Sequence, residues 1–376
     1  MRWCQERAPR GPVAMRPRET LRWTCDVLVV GAGPAGSMAA REAAKMGFSA
    51  ILVERRDCVG TPVRCAEFAP RVVGRFLSLS ENVISQPIDA METHVADTLE
   101  VRTVVNGLML HRDRFDHALA FQAVADGARL ETRVRVTRVQ DAIATAIRGD
   151  TEITVNARVI VGADGPLSTV GRSIGCTNQL LMPTAQYRMA LKKPAETTRV
   201  FFHPSIIGGY GWVFPKQSIA NVGVGIHSRR TGNPREVLNR FAALLVEQGV
   251  VEPRILGVTG GYLPAGGLIR PWKEWVIMAG DAAGTCHPIT GAGIYNALIS
   301  GEMAGIAATE ALKQNSTRPL RTYAMELASF LGPSLAWASV KRKRMVNQWQ
   351  SADFIDLIRR NWIAFDEYRQ KTGRKA

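Results

Sequence analysis

Asp26-Val-Leu-Val-Val-Gly31-Ala-Gly33-Pro-Ala35-Gly36, followed by Ser49-Ala-Ile-Leu-Val-Glu54, decides the fold. It reads as a buried strand, a glycine turn, a helix, a second strand and then an acid. Gly31 permits the tight turn. Gly33 lets the backbone approach a pyrophosphate, and Gly36 lets the helix pack closely on the sheet. The helix N-terminus, with Ala35 in its first turn, offers free N–H groups and a positive dipole end to phosphate. Glu54, with Arg55 beside it, ends the second strand where a carboxylate accepts bonds from both ribose hydroxyls. A glycine pattern alone is weak. Here the strand, helix and acid all stand where a dinucleotide-binding unit requires them.

The chain has 376 residues, enough for a full core and two interleaved domains. The net charge of +15 is unusual and uneven. Residues 1–23 carry six Arg against two Glu, and residues 341–376 carry ten Lys or Arg against four acids. Those ends are either solvated tails or surfaces drawn to an anionic membrane or an acidic protein partner. Nucleic acid is not expected as a partner, because no stacking platform is interleaved with the basic residues. The six cysteines show no paired metal spacing, so no metal site is expected. No secretory segment precedes the first strand, which implies a reducing compartment: cytoplasmic, or peripheral at the cytoplasmic membrane. No run of about twenty apolar residues is present to span a bilayer.

Further along, Val159-Ile-Val-Gly-Ala-Asp164-Gly165 ends a strand and opens a helix at Ser168. Residues 185–228 alternate as an antiparallel sheet, and Asn233–Glu247 reads as an amphipathic helix. Trp275–Asp281 returns to a buried strand, and Gly291–Leu312 is a small-residue helix able to pack tightly. The remainder is helical. Trp349, Phe354, Leu357, Ile358, Trp362 and Phe365 form an apolar stripe, read as a helix docked on the body with a membrane-surface helix as the alternative.

Three motifs agree in order: the glycine turn, Gly162-Ala-Asp164-Gly165 with Arg172, and Ala279-Gly-Asp281-Ala-Ala with Pro288-x-Thr-Gly291-x-Gly293. Together they resemble the flavoprotein hydroxylase fold of the p-hydroxybenzoate hydroxylase type. The resemblance implies FAD. It implies that Asp164 is among the cofactor-binding residues, that Asp281 contacts the ribityl hydroxyls, and that Gly291, Gly293 and Ile294 face the flavin pyrimidine end. There, N–H groups stabilise the negative charge that develops on reduction. It also implies that Arg112, in Arg-x-x-Phe-Asp-x-x-Leu, reaches the cofactor, and that Val136 lies at the adenine side.

The fold class that follows is α/β: a Rossmann-like FAD-binding domain of the glutathione reductase βαβ type, an inserted mixed or antiparallel substrate domain, and a C-terminal helical tail. The expected partition is a basic disordered arm at 1–23, an FAD domain from 24–72, 101–178 and 271–315, a substrate domain from 73–100 and 179–270, and a tail at 316–376.

Tyr210-Gly-Trp212-Val-Phe214-Pro215, seven residues, then Gly223-Val-Gly225, resembles the YxWxFP…GxG signature of geranylgeranyl reductases. Pro62-Val-Arg64-Cys65-Ala66-Glu67 resembles the cysteine loop that this family places by the flavin, which makes Cys65 the catalytic candidate and Cys65 and Ala66 cofactor neighbours. The resemblance covers roughly residues 25–315. It departs at Phe68, where the family often has glycine, and Phe68 is expected to line the substrate slot with Tyr210, Trp212 and Phe214. The implied activity is reduction of isolated C=C bonds in a prenyl lipid by reduced FAD. Such chemistry needs a hydride, a proton and a dry apolar slot. No second glycine fingerprint exists for NAD(P)H, so electrons are expected from NAD(P)H visiting directly or from a small acidic carrier such as ferredoxin.

The shared fold keeps two alternatives open: a monooxygenase of an apolar or aromatic substrate, and a non-catalytic flavoprotein. Halogenation is disfavoured because residues 55–69 contain no lysine. His287 is read as a loop histidine bonded to backbone.

Overall fold

The computed structural model describes residues 20–227, 232–350 and 353–369. The expected basic arm therefore lies outside the described residues except for Thr20–Trp23, which already belong to the first strand.

The first sheet is built on β1 (Thr20–Val30), whose buried half, Val27–Val30, lies parallel between β2 (Ala50–Val53) and β9 (Thr151–Gly162). Parallel strands covered on both faces read as continuous apolar runs, as Val27–Val30 and Ala50–Val53 do. β6 (Arg129–Glu131) extends one edge, and β16 (Val276–Met278) with β15 (Trp272–Lys273) extends the other. β7 (Arg135–Gln140) and β8 (Ile143–Arg148) form an antiparallel flap on β9. Residues 129–140 thus hold two strands, β6 and β7.

Helix α1 (Pro34–Lys45) follows β1, and α2 (Arg112–Ala125) precedes β6. α3 (Thr169–Ser173) follows β9. The small-residue helix is α5 (Ile294–Gln314), which lies against α1 so closely that a Cβ on Gly301 would sit 2.1 Å from the Ala35 carbonyl oxygen.

The second sheet runs β14-β10-β13-β12-β11-β4-β5-β3. Its strands are β3 (Phe68–Pro70), β4 (Ile84–Val95), β5 (Thr98–Leu110), β10 (Leu181–Leu191), β11 (Thr197–Phe202), β12 (Tyr210–Lys216), β13 (Ile219–Gly225) and β14 (Val251–Pro264). All neighbours are antiparallel except β11 and β4. β5 lies wholly in this sheet, so the domain boundary drawn at residue 101 falls inside a strand.

Strand alternation gives the sheet two different faces. Ala185, Tyr187, Met189, Val213, Ala220, Val222 and Val224 pack under α4 (Pro234–Glu247). Gln186, Trp212, Phe214, Lys216 and Asn221 alternate with them and point to the opposite face.

The tail forms α6 (Arg318–Asn347) and α7 (Phe354–Asn361). Trp349 and Trp362 are buried against that second face, and each indole N–H is satisfied inside the protein, by the Pro204 carbonyl and by Thr93 Oγ1 at 3.0 Å each. The apolar stripe is thus docked on the body. Two of the four cations in Lys341-Arg-Lys-Arg344 are also buried, Lys341 and Arg342, each 2% exposed. This basic run is not a wholly solvated surface. No helix among the described residues is long and apolar enough to cross a membrane.

Candidate functional site

One cavity of about 600 Å³ runs from the first turn of α1 to the second face of the second sheet. Gly33, Pro34 and Ala35 form one end. Ala279–Asp281 and Gly291–Ile294 form the middle, with Cys65, Ala66 and Arg112 across from them. Phe68, Met91, Val105, Val200, Phe214 and Trp362 wall an apolar far end. Tyr210 and Trp212 stand between.

The turn at the first end is shaped by contacts only glycine allows. Gly31 has φ of +102°, and a Cβ on Gly36 would lie 1.8 Å from the Gly31 carbonyl oxygen. A Cβ on Gly33, by contrast, meets no protein atom within 4 Å. The surface there is open for a ligand. Helix α1 has Gly33 as its N-cap and α5 has Gly293, and neither has a side-chain cap or an acid in its first turn. Two helix N-termini therefore open onto one cavity with free amides and positive dipole ends. A group with a pyrophosphate at one position and a charge-accepting ring edge at the other fits that arrangement.

Glu54 stands outside the cavity, beside the β1 turn. Its Oε2 accepts the Ala32 N–H at 3.1 Å and its Oε1 accepts the Arg56 N–H at 3.0 Å. Arg55 is exposed next to it. Val136 lies on β7, two residues past Val134, whose N–H bonds the Glu54 carbonyl at 2.9 Å. Asp164 differs from expectation. Its carboxylate accepts the Ser168 hydroxyl and the Thr169 and Val170 N–H groups, and so caps α3. Its neighbours Ala163 and Gly165 touch the cavity instead.

Asp281 does face the cavity, and among the described residues no group bonds its carboxylate. Burial lifts its pKa to about 6, with Arg112 opposing. The folded protein therefore holds this proton to higher pH than an unfolded chain does. Its contribution to stability is full at low pH and is lost as pH rises through about 6. Removing the titration should remove the loss. FAD-free Asp281→Asn is expected to melt above FAD-free wild type at pH 8, with the gap closed at pH 4, in scanning calorimetry.

Arg112 lines the cavity but is committed to a bidentate pair with Asp116, both bonds at 3.0 Å. Burial pushes the Cys65 thiol up, with Arg112 opposing. Its Sγ accepts the Glu67 N–H at 3.2 Å. Phe68 lines the cavity. Its ring lies over Gly107, where a Cβ would meet it at 2.2 Å, and meets Phe214 edge-on at 6.0 Å between centroids. His287 accepts the Thr290 N–H at Nδ1 (3.2 Å), and burial lowers its pKa to about 4, so it is a neutral loop residue.

A set of polar residues that motif reading missed holds the Cys65 loop. Thr259 donates to the Val63 carbonyl (2.8 Å), Gln186 to the Cys65 carbonyl (3.1 Å) and Asn221 to the Ala66 carbonyl (3.1 Å). Gln186 Oε1 also accepts the Trp212 indole N–H at 2.9 Å. Glu67, at φ of +73°, accepts Lys216 Nζ at 2.7 Å, Asn221 Nδ2 at 2.8 Å and the Arg112 N–H at 3.0 Å. The available signal was Asn221, the one polar residue in the otherwise apolar β13. Cys286, buried on the cavity wall, was also missed.

Residues 24–190 match the FAD binding domain family, and residues 181–262 match the geranylgeranyl reductase catalytic domain. The chain is 35% identical over 315 residues to the digeranylgeranylglycerophospholipid reductase of Methanothrix thermoacetophila, covering 78% of this chain and 80% of the relative. It is 35% identical over 311 residues to the reductase of the same name from Methanosarcina acetivorans, covering 76% and 75%. A geranylgeranyl bacteriochlorophyll reductase-like crystal structure from Thermoplasma acidophilum shares the fold, with a TM-score of 0.78 at 24% identity over 91% of this chain and 97% of that one. The open glycine turn, the two uncapped helix ends and the unbonded Asp281 carboxylate suit FAD, and with these matches the chain belongs to the geranylgeranyl reductase family of FAD-dependent oxidoreductases.

Proposed function

We propose that this protein saturates isolated C=C bonds of a geranylgeranyl chain carried on a lipid. The observation that carries the reading is the continuity of the cavity, from the cofactor-facing helix ends into a slot walled by Phe68, Met91, Val105, Val200, Phe214 and Trp362, with Thr103 and Arg369 also in its lining. Bound FAD supplies the hydride for one alkene carbon. The protein's part is to hold the alkene still, exclude water and provide one proton. The aromatic wall excludes water, with Trp212 fixed by Gln186. Cys65 Sγ keeps its proton at neutral pH, because burial disfavours the thiolate. We assign it the proton for the second alkene carbon. Arg112 nearby eases the thiolate left behind until product leaves the slot and solvent restores the proton.

The cofactor set of this reading is Gly31, Gly33, Ala35 and Gly36 at the pyrophosphate, Glu54, Arg55 and Val136 at the adenosine end, and Cys65, Ala66, Arg112, Asp281, Gly291, Gly293 and Ile294 around the flavin. Phe68, Tyr210, Trp212 and Phe214 form the substrate set. In this reading the first sheet belongs to an FAD unit and the second sheet to a substrate unit, which moves β3 and β5 into the substrate unit. Electrons come from NAD(P)H directly or from a small acidic carrier. Reduction by such a carrier is expected to slow as salt screens the basic surface.

The test is anaerobic stopped-flow. Dithionite-reduced wild type is expected to be reoxidised by a geranylgeranyl phospholipid without oxygen. Cys65→Ala is expected to slow that reoxidation about a hundredfold at unchanged FAD content, the usual worth of a positioned proton donor. An unchanged rate in Cys65→Ala removes the proton role. Reoxidation that needs oxygen favours the monooxygenase reading.

A further inference from the structure

Arg342 on α6 is a buried cation without a carboxylate partner. Its Nη1 donates to the Pro288 carbonyl at 3.3 Å, and its Nη2 donates to the Gly208 carbonyl at 3.0 Å and lies 3.1 Å from Met182 Sδ. Its Nε has no hydrogen-bond partner among the described residues. No acid among the described residues lies within ion-pair distance. Burying a charge is costly, and proteins commonly offset it by pairing. Among the described residues the guanidinium bonds two neutral carbonyls and a thioether.

Its position suggests what the charge is for. Pro288 belongs to the loop that ends at Gly293, the open N-cap of α5. Gly208 leads into β12 two residues before Tyr210. Arg342 therefore sits behind the wall from which Tyr210, Cys286 and Gly291–Ile294 face the cavity. Its charge favours the ionised forms of both Tyr210 and Cys286, against the burial that opposes them. A positive field thus reaches the cavity at the place where α5 also presents its positive end.

We propose that Arg342 is an electrostatic residue for the cofactor, favouring its reduced, negatively charged form and so raising its reduction potential. The inference rests on FAD binding at this site. Reduction takes up two electrons and one proton, leaving one extra negative charge on the cofactor. In a site of low dielectric, a fixed positive charge behind the wall stabilises that charge without having to move.

The experiment measures midpoint potentials of FAD-loaded wild type, Arg342→Gln, Arg342→Lys and Met182→Glu, by anaerobic dithionite titration against a reference dye at pH 6–7. Flavin content is read from the spectrum first, so absence of FAD in wild type counts against the cofactor assignment and not against Arg342. At fixed potential, Arg342→Gln is expected to lower the reduced-to-oxidised ratio at least tenfold, about 30 mV for a two-electron couple. Arg342→Lys is expected to stay within twofold of wild type. Met182→Glu neutralises the guanidinium in place and is expected to match Arg342→Gln. It decides the question if Arg342→Gln does not fold. A potential unchanged in Met182→Glu, or Arg342→Lys shifting as far as Arg342→Gln, overturns the inference and leaves Arg342 as a structural clamp.

Discussion

Lys216→Met is expected to destabilise the protein by about 3–5 kcal/mol, the usual cost of stranding one member of a buried ion pair. The Lys216 and Glu67 side chains are 8% and 5% exposed, with Nζ and Oε2 2.7 Å apart. Removing the ammonium leaves a buried carboxylate with only the Asn221 amide and the Arg112 N–H as donors. Glu67 also holds a left-handed backbone at φ of +73°, a conformation that persists in a non-glycine residue only where its surroundings enforce it. The loop carrying Cys65 should therefore loosen as the pair breaks. The double variant Glu67→Gln/Lys216→Met is expected to recover much of the loss. The introduced amide removes the buried charge and keeps an acceptor for the Arg112 N–H. Urea unfolding of the four proteins measures this. Equal losses in single and double variants would mean that the pair does not carry the effect.

Gly36→Ala is expected to yield a protein that retains FAD about a hundredfold more weakly, or not at all. The added Cβ would lie 1.8 Å from the Gly31 carbonyl oxygen and 3.2 Å from Ala163 Cβ. A backbone carbonyl cannot rotate aside as a side chain can. The turn must open, at a strain cost of about 1–3 kcal/mol. The upper end of that range is worth about a hundredfold in affinity if the cofactor needs the closed turn. Gly33→Ala is the informative contrast. Its Cβ meets open space, so the FAD-free protein should melt like wild type while FAD retention still falls. Titration of the two FAD-free variants with FAD, alongside their melting temperatures, separates a turn that cannot form from a surface that cannot be approached.

Much of this architecture was legible in the sequence, because it rests on backbone rules that act locally. Val27–Val30 must be buried on both faces, the glycine turn must be tight, and the small-residue helix at 291–312 must pack closely. The cavity was legible for the same reason, in Tyr210, Trp212 and Phe214 on one side of a strand and in the motif around Asp281. What stayed hidden depended on partners distant in the chain. Asp164 stands in a cofactor-like motif, yet its carboxylate is taken by the first turn of α3. Lys341 and Arg342 sit in a basic end that reads as a solvated tail or as a surface for an anionic partner, and only the packing of α6 turns them inward. Gln186, Asn221 and Lys216 are ordinary polar residues until strand phase sets them on the face where the Cys65 loop arrives.

The most direct test of the central claim is a mass measurement. FAD-loaded protein, reduced with dithionite without oxygen, is incubated with a geranylgeranyl phospholipid and the lipid is analysed by mass spectrometry. The expected result is product heavier by two hydrogens, or by multiples of two, with one reduced flavin consumed for every two hydrogens gained. A full flavin complement that leaves the lipid mass unchanged without oxygen, and adds an oxygen atom when air is admitted, would contradict it.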